Sequence, residues 1–171
     1  MGRDKALLPI EGETLLDRVA RAVLRSAGSV SVIGPPERYG HLGYPMVADV
    51  FPDFGPLGGI YTALINTRAV WNLIVACDMP ALEAESLTKL LEEAALAPET
   101  DVVMAESEGR LQPLCAVYHR HSAEPFRKAL LGGEHKILNA TNRLMVRYVS
   151  LPSRVFTNVN TPDEWEAAVH G

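Results

Sequence analysis

Hydrophobic residues recur along the chain with two spacings, one typical of helices and one typical of buried strands. Between Glu13 and Ser26 the apolar side chains fall three or four residues apart, which predicts an amphipathic helix. Thr14 and Asp17 form a capping-box pattern at its start, and Gly28 is a helix-ending signal. The apolar positions on the predicted buried face are Leu15, Leu16, Val19, Ala22 and Val23.

Short apolar runs bounded by glycine, proline and polar residues predict the strands. They cover residues 29–33, 45–48, 71–77, 101–105, 114–118 and 146–151. Further helices are predicted at residues 57–66, 83–96, 122–131 and 136–144, and from Pro162 onwards. Because strands alternate with longer helices, we predict an α/β fold, Rossmann-like and doubly wound, with a mostly parallel sheet and helices on both faces. The absence of repeats and linkers in the sequence predicts a single domain over residues 1–171.

Composition narrows the class of protein. The 171 residues are 47% hydrophobic and 22% charged, as expected of a globular enzyme. The net charge of −5 and the absence of a Lys/Arg run argue against a nucleic-acid partner. The sequence contains no apolar run near the roughly 20 residues of a membrane span. Cys77 and Cys115 both lie in apolar runs, which favours buried free thiols and a cytoplasmic location.

The first candidate for chemistry is Asp78, in the run WNLIVACDMP that begins at Trp71. A buried strand cannot hold an unpaired charge, so Asp78 is expected where the strand leaves the sheet. Ligands of open α/β sheets bind at that carboxyl edge, which makes Asp78 a candidate ligand for a phosphate-bound metal. An aspartate that merely caps the following helix is the alternative.

Other candidate positions are individually weaker. The segment Gly55–Gly59 (GPLGG) opens a predicted helix, where glycines and free amides suit a phosphate or a base, or serve turn geometry only. Lys5 is a candidate phosphate ligand, or else a solvated surface lysine. Asp49 is a second carboxylate at a strand end, and the late NVNTPDE motif places two amides, Asn158 and Asn160, on one side of an extended chain.

The order of these segments is more specific than any one of them. M-G-x-D-K, a strand-end Asp, G-P-L-G-G, C-D-M-P and N-V-N-T-P-D-E together resemble the molybdenum cofactor guanylyltransferases, over nearly the whole chain. The resemblance implies transfer of GMP from GTP to the phosphate of molybdopterin, with Mg²⁺ as the cofactor. It also implies molybdoenzymes or their chaperones as recipients of the product.

The resemblance also implies roles for single residues. Lys5 and Asp78 match the catalytic positions, Lys5 on phosphate and Asp78 on the metal, with Asn160 completing the metal site. Asp49 matches the position that reads guanine, since a carboxylate accepts hydrogen bonds from the N1 and N2 donors. The nucleotide-binding positions implied are Lys5, Asp49, Gly55, Pro56, Leu57, Gly58, Asp78, Asn158 and Asn160.

The sequence departs from the family pattern at its start. Members carry an apolar strand and a loop of the form L-A-G-G-x-S-x-R before M-G-x-D-K, whereas this sequence opens at that methionine. The first strand and glycine-rich loop are thus expected to be missing, leaving a slot in the core. We favour a misplaced gene start, and a natural short variant is the alternative. Upstream codons in frame that encode such a strand would support the misplaced start, and stop codons immediately upstream would refute it.

The same sequence features allow two other functions. A CTP-dependent molybdopterin or sugar-phosphate nucleotidyltransferase would share the fold and the metal aspartate, and dependence on GTP or CTP separates these enzymes. A catalytically degenerate nucleotide-binding module would keep the fold without turnover. In that case Asp78→Asn changes no activity.

Overall fold

The computed structural model describes residues 4–10 and 12–156. The strands are β1 Pro9–Ile10, β2 Glu13–Thr14, β3 Val32–Ile33, β4 Met46–Val47, β5 Trp71–Val75, β6 Val102–Ser107, β7 Arg110–His119 and β8 Val146–Ser150. The helices are α1 Leu15–Ala27, α2 Pro36–Tyr39, α3 Pro56–Ile65, α4 Ala84–Leu96, α5 Ala123–Leu131 and α6 Ile137–Thr141. Across these described ranges, every helix is too short or too polar to cross a membrane.

The main sheet has four strands in the order β5-β7-β6-β8. Strand β7 is antiparallel to both β5 and β6, while β6 and β8 are parallel. Three of the four strands therefore run in one direction and β7 opposes them. The reversal follows from a tight hairpin, since Glu108 and Gly109 between β6 and β7 both have positive φ. Two smaller sheets pair β1 with β2 and β3 with β4.

Helices cover both faces of the main sheet, as the sequence predicts. Alternate residues of β6 point to opposite sides: Val103 packs with α1 and α4, and Val102 packs with α3 and α5. The first core includes Leu15, Val19, Leu87, Leu90 and Val117. The second includes Leu57, Ile60, Met104, Tyr118 and Phe126.

Local sequence signals set the ends of α1. The Thr14 side chain accepts from the backbone of Asp17, while the Asp17 carboxylate accepts from the backbone of Thr14, which is the predicted capping box. Gly28 ends the helix at φ 74°. The predicted strand at 29–33 is shorter in the structure, since only Val32 and Ile33 pair with β4. The helix predicted from Pro162 lies outside the described residues.

A cavity of about 680 Å³ separates the β3–β4 sheet from β5. Val32 and Ile33 line it from one side, and Leu73 and Val75 line it from the other. Among the described residues, β3 pairs only with β4 and β5 pairs only with β7, so each presents one unpaired edge. The cavity lies between these two unpaired edges. It also explains why the residues of β5 are only half-buried.

Candidate functional site

Asp78 lies in the turn that directly follows β5, where the predicted strand-end carboxylate was expected. Its side chain is half-buried. Within the described residues it forms neither a hydrogen bond nor an ion pair. Its oxygens are therefore available to a ligand, and the helix-cap alternative receives no support, since α4 has no side-chain cap and its N-cap residue is Glu83.

The loop after Asp78 is held from the neighbouring helix. Met79 and Pro80 are buried, and the Nε of Arg18 in α1 donates to the Pro80 carbonyl at 2.8 Å. This contact fixes the chain immediately after the candidate metal ligand. The sequence alone gave no signal for it, because Arg18 reads as an ordinary residue on the polar side of an amphipathic helix.

The N-terminal segment brings Lys5 towards the same edge. Lys5 begins a 3-10 turn, and its N-cap Asp4 accepts from the Ala6 amide at 3.1 Å and from the Tyr39 hydroxyl at 2.8 Å. Burial, followed by the hydrogen bond to Asp4, raises the pKa of Tyr39. Ala6 packs in one apolar cluster with Cys77, the residue before Asp78. Lys5 and Asp78 are therefore each adjacent in sequence to a residue of this cluster.

Asp49 is fixed by two hydrogen bonds on one of its oxygens. Oδ1 accepts from the Phe51 amide at 2.9 Å and from the Thr62 hydroxyl at 2.7 Å. Oδ2 lies 3.8 Å from the position that a Cβ on Gly59 would take, beside the first turn of α3. The carboxylate therefore has a defined orientation against the GPLGG segment.

The GPLGG segment starts α3 as predicted. Gly55 precedes the helix at φ 58° and ψ −146°, a conformation that favours glycine, and Pro56 occupies the first turn. Leu57 is fully buried in the core. Gly58 lets the helix approach the loop closely, because a Cβ there would lie 2.3 Å from the Phe51 carbonyl oxygen.

One cavity adjoins all four of these segments. The 680 Å³ cavity is lined by Ala6 next to Lys5, Val47 two residues before Asp49, Pro56 and Gly59 of the GPLGG segment, and Cys77 next to Asp78. The structure thus assembles sequence segments that lie up to about seventy residues apart around one space. Asn158 and Asn160 lie outside the described residues.

The side chains around Asp78 suit a metal ion that takes most of its ligands from substrate phosphates and water. Across residues 4–10 and 12–156, no group of three or more His, Cys, Asp or Glu side chains could enclose an ion. One available carboxylate fits Mg²⁺, which binds through few carboxylates together with substrate phosphates. Burial and the nearby charge of Asp78 raise the pKa of Cys77 to about 11, so this thiol stays protonated and is a poor metal ligand.

Comparison with known proteins identifies the family of this chain. The model of the MobA-like NTP transferase domain matches residues 1–146. The chain belongs to this family. This MobA-like transferase is 34% identical over 176 residues to the molybdenum cofactor guanylyltransferase of Xanthomonas euvesicatoria, covering 99% of the chain and 88% of that protein. It is 27% identical to the probable molybdenum cofactor guanylyltransferase of Clostridium perfringens, covering 96% and 86%.

Solved structures confirm the predicted fold class of the MobA-like transferase. The molybdopterin-guanine dinucleotide biosynthesis protein A of Archaeoglobus fulgidus superposes with a TM-score of 0.78 at 22% identity, over 98% of this chain and 90% of that one. Rv0371c of Mycobacterium tuberculosis, solved in complex with manganese, gives 0.70 at 20% identity, over 99% and 94%. The protein is therefore a nucleotidyltransferase by family, with an α/β fold.

Proposed function

We propose that the protein transfers GMP from GTP to the phosphate of molybdopterin and releases pyrophosphate. The molybdenum cofactor guanylyltransferase of Xanthomonas euvesicatoria supports this reaction, since its 34% identity extends over nearly the full chain. The observation that carries the proposal is Asp78, a half-buried carboxylate at the carboxyl edge of β5 with no protein partner among the described residues. A molybdoenzyme or its chaperone would receive the product.

In this reaction an oxygen of the molybdopterin phosphate attacks the α-phosphorus of GTP. The new P–O bond forms as the bond between the α-phosphorus and the bridging oxygen breaks, and pyrophosphate carries away that electron pair. The attacking group is supplied by the substrate, so the protein needs no nucleophilic side chain. Its task is to hold two polyanions in line and to stabilise charge on the departing phosphates.

Each candidate residue has a separate task in this scheme. Lys5 would place its ammonium on the phosphates as a compact positive charge. Asp78, together with Asn160, would hold Mg²⁺, which neutralises phosphate charge when bound. The start of α3 would face the nucleotide with the Leu57 amide, because Pro56 has no N–H and the Gly58 and Gly59 amides donate to the Gly55 carbonyl.

The base would be read by Asp49. The N1 and N2 groups of guanine both donate hydrogen bonds, and a carboxylate accepts both. Cytosine presents a ring nitrogen acceptor where guanine presents N1–H, so a carboxylate there disfavours CTP. This is the feature that favours GTP over the CTP-dependent alternative.

Pyrophosphate release measured with molybdopterin and Mg²⁺ tests the proposal. We expect turnover with GTP, weak turnover with CTP, and a loss of at least about 100-fold for Asp78→Asn, since metal stabilisation of phosphoryl charge is worth several kcal/mol. Asp53→Asn is the matched control, because this exposed aspartate lies in the loop before GPLGG. Equal activity of wild type and Asp78→Asn would contradict the metal role, and a preference for CTP would contradict the base assignment.

A further inference from the structure

Thr62 is a fully buried hydroxyl in an otherwise apolar stretch of α3. Its Oγ1 donates to Asp49 Oδ1 at 2.7 Å and accepts from the Val50 amide at 3.0 Å. Burying a hydroxyl is costly unless both its donor and its acceptor capacity are used, and here both are. The side chain therefore ties helix α3 to Asp49 and Val50, in the loop after β4.

The consequence is a carboxylate whose two oxygens differ. Oδ1 is engaged twice, by Thr62 and by the Phe51 amide at 2.9 Å. Oδ2 has no hydrogen bond to any residue that the structure describes. It lies 3.8 Å from the Cβ position of Gly59, which is one helical turn before Thr62 on the same face of α3. The helix that supplies the GPLGG backbone thus also sets the direction of the free oxygen.

The torsion that rotates a carboxylate about its own axis is broad, so an aspartate does not by itself hold one orientation. The Phe51 amide alone bonds one oxygen and leaves the plane of the carboxylate free to turn. The second bond, from a hydroxyl on a rigid helix, removes that freedom. A fixed acceptor binds its donor without the entropic cost of ordering the side chain.

We propose that Thr62 is a positioning residue for base specificity, which holds Asp49 so that Oδ2 accepts from the donor edge of a purine base. This inference rests on the proposed function, in which Asp49 reads guanine. Thr62 does not touch the nucleotide and acts through Asp49 alone. Its contribution should therefore appear in the choice of base and not in the chemistry at the phosphate.

Inosine triphosphate is the probe, because it differs from GTP by the absence of the N2 amine. The ratio of the dissociation constants of ITP and GTP, measured by titration calorimetry with Mg²⁺, reports the base contact without requiring turnover. We expect the wild type to favour GTP. Thr62→Val, which keeps the shape but loses the hydroxyl, should lower this ratio by about tenfold, consistent with one weakened bond to a charged acceptor.

Thr62→Ser restores the hydroxyl and should restore the ratio. ITP binding by Thr62→Val should stay within about threefold of wild type, which a variant that had merely lost its fold could not show. Asp49→Asn is the second variant, and it should also lower the ratio. A Thr62→Val protein that binds ITP normally and keeps the wild-type preference would overturn the inference.

The outcomes separate this inference from the proposed function. If Asp49→Asn lowers the ratio and Thr62→Val does not, the positioning role is wrong and the guanine role of Asp49 stands. If Asp49→Asn also leaves the ratio unchanged, the base assignment fails and the inference fails with it. If both variants lower the ratio but no pyrophosphate is released with molybdopterin, the positioning role holds and the proposed acceptor is wrong.

Discussion

A Cβ atom added to Gly58 would lie 2.3 Å from the backbone carbonyl oxygen of Phe51. The first turn of α3 therefore rests directly on the loop that follows Asp49. At the next residue the situation differs, since a Cβ on Gly59 would meet its nearest neighbours, Asp49 Oδ2 and Ile33 Cγ2, at 3.8 and 4.0 Å. Two adjacent glycines in one helical turn thus serve different purposes, one for packing and one beside the free carboxylate oxygen.

Gly58→Ala should destabilise the protein and Gly59→Ala should not. The contact at Gly58 involves backbone, which cannot move aside without shifting the loop, so we expect a loss of about 1–3 kcal/mol in the free energy of unfolding. Gly59→Ala gains helix propensity worth up to about 1 kcal/mol and meets only ordinary contacts. Urea unfolding of the two variants makes the comparison. Equal stability would show that the α3 start is not pinned on Phe51.

Cys77 should react unusually slowly with thiol reagents. Its pKa is raised to about 11 by burial and by the negative charge of Asp78, so at pH 8 its thiolate fraction is roughly 100-fold below that of an ordinary cysteine. Asp78→Asn removes the repulsion and should lower the pKa, which increases the labelling rate. Iodoacetamide labelling followed by peptide mass spectrometry measures Cys77 separately from Cys115, whose pKa burial raises to about 12. Rapid labelling of Cys77 at pH 8 would contradict the raised pKa of this partly buried thiol.

The sequence predicts the parts of the site that lie next to strong local signals. The apolar run ending at Asp78, the glycines around Gly58 and the Thr14 capping box all carry their meaning within a few residues, and the structure has strand, helix start and cap at those places. The residues that hold the site were missed because their partners are distant in sequence. Arg18 meets Pro80 across 62 positions, and only packing of α1 beside β5 creates that contact.

Thr62 is an intermediate case. It is a single polar residue within an apolar helix segment, a pattern that marks a buried hydroxyl in need of partners. The sequence could therefore have indicated that Thr62 is engaged, although not that Asp49 is its partner. The direction of β7 was likewise open, because a polar turn between two strands becomes a hairpin only when residues such as Glu108 and Gly109 adopt positive φ.

Asp101 should make stability depend on pH in the acid range. Burial alone would raise its pKa, but hydrogen bonds from the Met145 amide, at 2.7 Å, and from His121 outweigh it, and the pKa is lowered. A lowered carboxyl pKa gives stability that is fully present above the unfolded value of about 3.9 and is lost as the pH falls through the folded value. Asp101→Asn should therefore be less stable than wild type at pH 7, and the difference should shrink below about pH 4.

Urea unfolding at several pH values between 7 and 3 measures this difference. Asp53→Asn is the control, since Asp53 is exposed and makes no hydrogen bond within the described ranges. Its difference from wild type should stay small at every pH. A gap between Asp101→Asn and wild type that persists unchanged at pH 3 would show that the charge of Asp101 contributes nothing.

Arg18→Met should weaken the metal response of the enzyme without removing the metal ligand. The Arg18 guanidinium bonds the carbonyl of buried Pro80, two residues after Asp78, so its loss leaves that carbonyl unpaired and the loop free to shift. We expect a higher Mg²⁺ concentration for half-maximal pyrophosphate release and a loss of about 1–2 kcal/mol of stability. Arg25→Met is the matched control, an exposed arginine in the last turn of the same helix. Both variants remove one positive charge from α1, and Arg18 in addition holds the Pro80 carbonyl. Identical Mg²⁺ dependence of the two variants would show that the Asp78 loop does not need Arg18.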